Sequence, residues 1–326
     1  RGEPVQPSSP LPRTGEGLGE GPSSQEDRMR VFGMRRDELF GMMLVLPAMA
    51  LVLSFIVYPV GEVIRLSFTN TNLLTRRNDF VWFESYERVL SDPLMYLVLK
   101  NTALWVTTGT VAALILGLGV GYFISHDFKI NRLLRASILI PWILPTVVAV
   151  AAWRWMYHAE MGVLNDMLKK VGLIEKGISW LGEPSLVIYA LSTIAVWRHL
   201  PFAALVISAA IQGIPTGLLE AATIDGANGW QKFRYIILPQ LAYPLTFIGI
   251  MNLIWNMNDL TTVWGSTRGG PANASEILST FIYSMGFNSF RFGLSSALSV
   301  INFAILLTLS IAYLFVLRSA WRAEER

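Results

Sequence analysis

Apolar residues in this chain come in long continuous runs with no alternation. A hydrocarbon core needs about 20 mostly apolar residues per helix. Six segments meet that length: 39–60, 102–125, 136–157, 186–211, 241–263 and 295–317. Continuous runs predict helices, because barrel strands alternate. The fifth segment is the least apolar, since it holds Asn252, Asn256, Asn258 and Asp259. Pro141 and Pro145 in the third span and Pro201 in the fourth remove backbone donors, and each predicts a kink. Gly117, Gly119 and Gly121 lie in the second span, and the small-xxx-small pair of 117 and 121 suits close helix packing or, as well, a chance pair in a Gly-rich span.

Residues 1–28 differ from the rest. They are rich in Pro, Gly, Ser and Glu, lack an apolar run, and are expected to be disordered. Leu11-Pro12-Arg13-Thr14-Gly15 resembles a sortase signal, but such a signal precedes a C-terminal apolar run and basic tail. Nor is there a signal-peptide core. Translation is expected to start at Met29 or Met34. The expected organisation is a tail at 1–37, a first span with an outer segment at 38–101, a core at 102–317 and a short tail at 318–326.

Composition agrees with a membrane chain. Of 326 residues, 53% are hydrophobic and 15% charged, against about 25% charged in an average soluble domain. Eleven Trp and ten Tyr suit two water–lipid interfaces. There is no cysteine, which excludes disulfides, thiol catalysis and thiolate metal sites. A net charge of +3 gives no reason to expect nucleic acid. With the N-terminus inside, the inner segments carry 12 Lys/Arg in 59 residues and the outer ones 10 in 100. The positive-inside rule therefore predicts cytoplasmic N- and C-termini.

The longest inner loop, 212–240, has its own pattern. Thr216 to Ile224 reads as a short helix after Pro215, with Leu218, Ala221, Ala222 and Ile224 as a small apolar face. Gly226 follows Asp225 and suits a left-handed turn. A second helix is expected from Ala227 to Ile237, ended by Pro239. Such a helix–turn–helix elbow at the membrane face is a docking surface for another protein.

Ionisable residues inside spans are functional candidates. They are Arg154, Arg198, His199 and Asp259. Arg154 lies near a span end and can snorkel. Asn252, Trp255, Asn256 and Asp259 recur at i, i+3, i+4 and i+7, which predicts one face of the fifth helix. Amides and a carboxylate suit sugar hydroxyls, and an indole covers the apolar face of a pyranose. The alternative for this face is interhelical hydrogen bonding. His199 and Phe202, with Arg198, are placed to join it from the fourth helix, and Arg198 is a candidate partner for Asp259. His126 and His158 need no role, and no metal-ligand cluster is expected. The outer segment 61–101 reads either as a contact surface for a protein or as a solvated cap.

Glu220-Ala221-Ala222, Asp225-Gly226-Ala227, Phe233, Ile236 and Leu238-Pro239 resemble the "EAA" loop of bacterial ABC-importer permeases. The rest resembles the carbohydrate-importer branch, of the maltose-transporter first-permease type. Tyr58-Pro59, Ser67-Phe68-Thr69, Phe80 to Tyr86, Asp92-Pro93 and Asn101-Thr102 follow in the family's order. So do Arg135 to Pro145, Trp153, Gly162, Asn165, Trp197-Arg198, Pro201-Phe202, Ile214-Pro215, Trp255-Asn256 and Gly269-Gly270-Pro271. The resemblance covers about residues 38–318. It implies an all-α, six-span type I importer permease fold in a bacterial inner membrane. It further implies a second similar permease, two ATP-binding subunits and an extracytoplasmic solute-binding protein, with a carbohydrate as cargo. Glu220, Ala221, Ala222, Asp225, Gly226, Ala227, Phe233 and Pro239 would then be the ATPase-coupling residues. No GxxxxGK[ST] phosphate loop occurs in the chain, so ATP and Mg²⁺ are expected on the partner ATPases and no cofactor here. The alternative is a polytopic membrane enzyme such as a lipid or glycosyl transferase. It would need an interfacial acid or metal constellation, which the sequence does not offer.

Overall fold

The structure is a computed structural model that describes residues 36–126 and 131–324. Residues 1–28, Met29 and Met34 lie outside the described residues. The chain divides into two units, one ending at Val60 and one running from Gly61 to Arg326. In the first, α1 (Arg36–Val52) leads through a π-helical turn at Leu53–Val57 into the start of α2 (Tyr58–Ser67).

In the second unit come α3 (Glu84–Leu90), α4 (Pro93–Ser125), α5 (Asn131–Ile138), α6 (Ile140–Ile143), α7 (Thr146–Met156), α8 (Val163–Lys170) and α9 (Val187–Gln212). They are followed by α10 (Thr216–Ile224), α11 (Gly229–Lys232), α12 (Leu238–Gln240), α13 (Ala242–Asn258), α14 (Leu260–Thr267), α15 (Leu278–Tyr283) and α16 (Phe292–Glu324). Among the described residues the only β pairing is two isolated bridges, Thr69 with Phe80 and Asn72 with Arg77.

Among the described residues, four helices are long and apolar enough to cross a bilayer: Phe40–Ser67, Pro93–Ser125, Val187–Gln212 and Phe292–Phe315. Two bent pairs bring the number to six when each is taken as one span, Leu133–Ile143 with Thr146–Met156 and Gly229–Gln240 with Ala242–Asn258. The six expected spans are all represented, with changed limits. The third span breaks by 97° between Ile143 and Thr146, where Pro145 stands at the cap of α7 and Pro141 in the first turn of α6. Pro201 is different: α9 continues through it as one helix element, so the expected kink does not interrupt that helix. The fifth span also differs. Its helix ends at Asn258, not at 263, because Asp259 takes a non-helical conformation and caps α14 instead. The last helix runs on to Glu324, past the expected limit at 317.

α4 and α9 lie side by side. Thr108 meets Ser192 at 2.8 Å between hydroxyls, and a Cβ at Gly117 would fall 2.5 Å from the Ala203 Cβ. A Cβ at Gly121 would fall 2.8 Å from the Ala204 carbonyl oxygen. Contacts that advance together along both helices make the pair parallel. The small residues at 117 and 121 are what let the backbones approach, as the sequence pattern predicts. Gly119, on the other face, would meet nothing.

α13 runs antiparallel to α4 and α16. Near its start, the Tyr313 hydroxyl donates to the Leu245 carbonyl at 3.2 Å. Near its end, the Trp105 indole donates to the Asn256 carbonyl at 2.8 Å. Trp105, Leu191, Ile194, Met257, Phe281 and Leu298 belong to one buried cluster that joins α4, α9, α13, α15 and α16. The bundle of the second unit therefore has two ends. One carries the 212–240 loop, and the other carries residues 68–92 and the 268–291 connection.

Candidate functional site

The 212–240 loop is an elbow, as its sequence predicts. α10 starts where Pro215 blocks a further N-terminal donor, with the Leu218 amide bonded to the Pro215 carbonyl at 3.1 Å. It stops at Asp225. The Ala227 amide reaches back to the Ala222 carbonyl at 2.8 Å and the Gly226 amide to Thr223 at 3.1 Å, the paired bonds of a left-handed helix stop. Gly226 has φ +82°, which glycine adopts without the Cβ clash.

The second arm starts later than expected, at Gly229. Asn228 caps it: its Oδ1 accepts from the Gln231 amide at 2.9 Å, and Gln231 Oε1 accepts from the Asn228 amide at 2.8 Å. Pro239 does not end this arm. It sits at the first turn of α12, where no donor is required, and the chain turns at Leu241. Lys232 Nζ donates to Thr223 Oγ1 at 2.7 Å and ties the two arms together.

One side of the elbow is anchored. Ile214, Leu219, Phe233, Ile237 and Leu241 join a cluster with Ala203 and Ile207 of α9 and Leu118 and Tyr122 of α4. The Phe233 ring lies edge-on to Tyr122 at 5.2 Å. The other side is open. Leu218, Glu220, Ala221, Asp225 and Gly226 are exposed, Ala222 and Ala227 half-buried, and Ile224 is 88% exposed. A cavity of about 300 Å³ opens beside the turn, lined by Asp225, Gly226, Ala227, Gln231, Tyr235 and Ile236.

The polar residues of the fourth and fifth spans fall into two groups, not one face. Asn252 and Asn256 are fully buried. Asn252 donates to the Ile248 carbonyl at 3.0 Å and Asn256 to Thr110 Oγ1 of α4 at 3.3 Å. A Cβ on Gly109 would come within 2.9 Å of the Asn256 amide nitrogen, so α4 fits closely around it. These two face into helix contacts. Trp255 turns instead toward α9, 5.0 Å from the Phe202 ring and 5.2 Å from the His199 ring. Phe202 also stacks against Trp142 at 6.2 Å and lies 6.1 Å from Phe247.

Asp259 departs from the expected i+7 position because α13 has already ended. Its Oδ1 accepts from the Thr262 amide at 2.9 Å and its Oδ2 from the Thr262 hydroxyl at 2.6 Å. Arg198 Nη1 lies 3.7 Å from Asp259 Oδ2, an ion pair without a close hydrogen bond. Arg198 Nε, His199 Nδ1, Asn252 Oδ1 and Asn256 Oδ1 have no hydrogen-bond partner among the described residues. Arg154 is exposed and donates to the Gly265 carbonyl at 3.4 Å, in keeping with a span-end role.

Two buried polar sites lie outside the periodic pattern of the sequence, where Asn101, like Asn165, stands out only by resemblance. Asn101 donates to the carbonyls of Asn273 and Glu276, each at 3.1 Å, and so holds the 268–277 loop to α4. Glu276 is itself 5% exposed, and burial raises its carboxyl above the ordinary range, partly opposed by a hydrogen bond with Thr280. Asn165, singled out only by resemblance, accepts and donates at once. Its Oδ1 receives the Ile178 amide and the Trp180 indole, each at 3.1 Å, and its amide nitrogen reaches three carbonyls.

The protein family described as "Binding-protein-dependent transport system inner membrane component" matches residues 97–321. Among curated proteins, the permease protein SmoG of a sulfoquinovosyl glycerol transport system from Agrobacterium fabrum is 32% identical over 284 residues. The match covers 87% of this chain and 92% of that one. The trehalose/maltose transport system permease protein MalF of Thermococcus litoralis is 31% identical over 281 residues, covering 86% and 94%. Among solved structures, a chain of a bacterial ABC transporter involved in import of the acidic polysaccharide alginate superposes with a TM-score of 0.76. It is 20% identical, with 87% of this chain and 96% of that one covered.

Proposed function

The chain belongs to the family of inner membrane components of binding-protein-dependent transport systems, and we propose that it is one permease half of an ATP-driven importer for a carbohydrate. It is a multi-pass inner-membrane transport subunit and not an enzyme. The observation that carries the proposal is the elbow, anchored on one side to α4 and α9 and open on the other. A pore acting alone has no use for such an element.

In this reading Glu220, Ala221, Ala222, Asp225, Gly226 and Ala227 meet an ATPase subunit, while Phe233 and Pro239 tie the elbow to the spans. A second permease of similar fold completes the path, two ATP-binding subunits hold ATP and Mg²⁺, and an extracytoplasmic solute-binding protein delivers the cargo. Both termini are cytoplasmic. Carbohydrate cargo is supported by relatives named for sulfoquinovosyl glycerol and for trehalose/maltose. Trp255 and Phe202 offer ring faces to a sugar, and His199, Arg198 and Asp259 offer polar groups beside them. Asn256 serves this lining from behind, by fixing α13 against α4, while Asn252 bonds within α13.

The test is transport by the reconstituted importer. Glu220→Lys reverses the exposed charge on α10 without touching the anchored side. It is expected to abolish uptake and to weaken ATPase co-purification while the chain stays in the membrane. Wild-type uptake in this variant would refute the coupling role.

A further inference from the structure

At the end of the bundle opposite the elbow lies a second cavity, of about 230 Å³. Arg77, Arg88 and Arg291 line it, together with Asn72, Thr75 and Ser85 among others, and no carboxylate is among the lining residues. Arg88 is paired with Glu84 along α3. No partner is found for the guanidinium of Arg77 or Arg291 among the described residues.

The walls are fixed. The Asn72 and Arg77 backbones exchange hydrogen bonds at 3.0 and 3.2 Å and close the 72–77 turn. The Leu73 amide donates to the Phe290 carbonyl at 3.1 Å, and the Gly293 amide donates to the Thr71 carbonyl at 3.0 Å. The Ser85 hydroxyl adds a bond to the Thr69 carbonyl at 2.8 Å. A Cβ at Gly293 would fall 2.1 Å from the Thr69 carbonyl oxygen, so α16 touches the 69–72 backbone directly. Arg76 and Phe290, next to two of the three arginines, hold left-handed backbones at φ +54° and +55°. That conformation is uncommon away from glycine and persists where surroundings enforce it. The loop thus presents Arg77 and Arg291 from a backbone tied at several points.

We propose that this cavity receives an acidic side chain of the extracytoplasmic solute-binding protein. The assignment rests on the importer reading, which places the elbow end inside and this end outside. Its chemistry follows from the lining. A guanidinium offers a planar fork of donors that matches a carboxylate in two parallel bonds. Two such groups with no acid partner, Arg77 and Arg291, beside a third already paired with Glu84, attract one anionic group, and the volume suits a single side chain and not a helix. Because the walls are held before docking, little ordering is required when the acid enters.

The test uses the assembled importer in nanodiscs of phosphatidylcholine and, separately, of phosphatidylglycerol, with its own solute-binding protein titrated at several salt concentrations. Arg77→Glu with Arg291→Glu is expected to weaken binding by about tenfold or more in both lipids and to flatten its salt dependence. Arg77→Lys with Arg291→Lys keeps the charge but not the fork, and is expected to lose less. ATPase co-purification checks assembly, and if the reversed pair fails to assemble, the lysine pair decides. Wild-type binding in the assembled variant would overturn the proposal. A loss confined to phosphatidylglycerol would assign the cavity to a lipid headgroup and overturn it too. If the unmodified importer binds no solute-binding protein in either lipid, the importer reading falls, and this proposal falls with it.

Discussion

Single polar residues inside this apolar molecule are placed by what they satisfy. Asp259 shows it best: both carboxylate oxygens are used by Thr262, and only the weaker ion pair at 3.7 Å remains for Arg198. Its charge is thus held at the break between α13 and α14, where a helix cap needs an acceptor. Glu276 is the reverse case, a carboxyl with Oε1 unpaired in a buried loop. Burial raises its value above the ordinary 4.5, so the folded chain keeps a proton that the unfolded chain releases. The sign follows: this contribution to stability is fully present below about pH 4.5 and is lost as pH rises through the raised value. Glu276→Gln keeps the shape and removes the titration. Thermal midpoints of the detergent-solubilised protein measured from pH 5 to 8 are expected to fall less steeply with pH in the variant. Parallel curves for the two proteins would contradict the assignment. Gly269 lies beside this carboxyl with φ +85°, and a Cβ there would fall 1.7 Å from Oε2, so a larger residue would strain the backbone and displace the Glu276 side chain.

At the scale of elements, the α4–α9 contact is the test of how these helices associate. Lipid supplies no hydrophobic drive between helices, so close backbone approach must do the work. Gly121→Val would force Ile207 and the Ala204 carbonyl outward, at roughly 1–3 kcal/mol for overpacking a tight contact. Gly119→Val, on the open face of the same helix, is expected to be near neutral. Comparing the two variants by thermal unfolding in detergent isolates packing from helix propensity, and equal losses would refute the close-approach account. This contact was legible in advance because small residues four apart are a local signal. The breaks were half legible. Pro145 announced the 97° bend, but Pro201 sits inside an unbroken helix, since proline marks a missing donor and not the fate of the freed carbonyl. The fifth span looked continuous because hydropathy averages over Asp259, whose preference for capping Thr262 decides the end of α13. Least legible were sites built from distant segments. Arg77 and Arg291, or Asn101 and Glu276, are polar residues with no periodic pattern, and only the folded chain brings each pair together.

For the whole molecule, the proposed importer role raises the question of how a push on the elbow would reach the proposed cargo path. Coupling of a docked ATPase to the spans by rigid-body motion requires stiff connections between the elbow and the helices it serves. The structure supplies them. The elbow's inner side shares one buried cluster with α4 and α9, and α9 carries Phe202 and His199 to the ring of Trp255 on α13. α4 and α9 are themselves in close contact at Gly117 and Gly121, so displacement of the elbow is expected to move the pair together. Phe233 is the side chain through which this connection can be loosened without altering the exposed surface of α10. It is half-buried, edge-on to Tyr122 and stacked against Trp230 at 5.7 Å. Phe233→Ala removes that wedge and leaves Glu220, Ala221 and Ile224 as they stand. The expected outcome is a complex that still co-purifies with its ATPase subunits and still hydrolyses ATP, but imports several-fold less solute per ATP. Uptake and phosphate release measured on the same proteoliposomes read that ratio directly. An unchanged ratio would mean that the cluster beneath the elbow only holds it in place, and that force passes along the backbone of Ile214 and Leu241 alone.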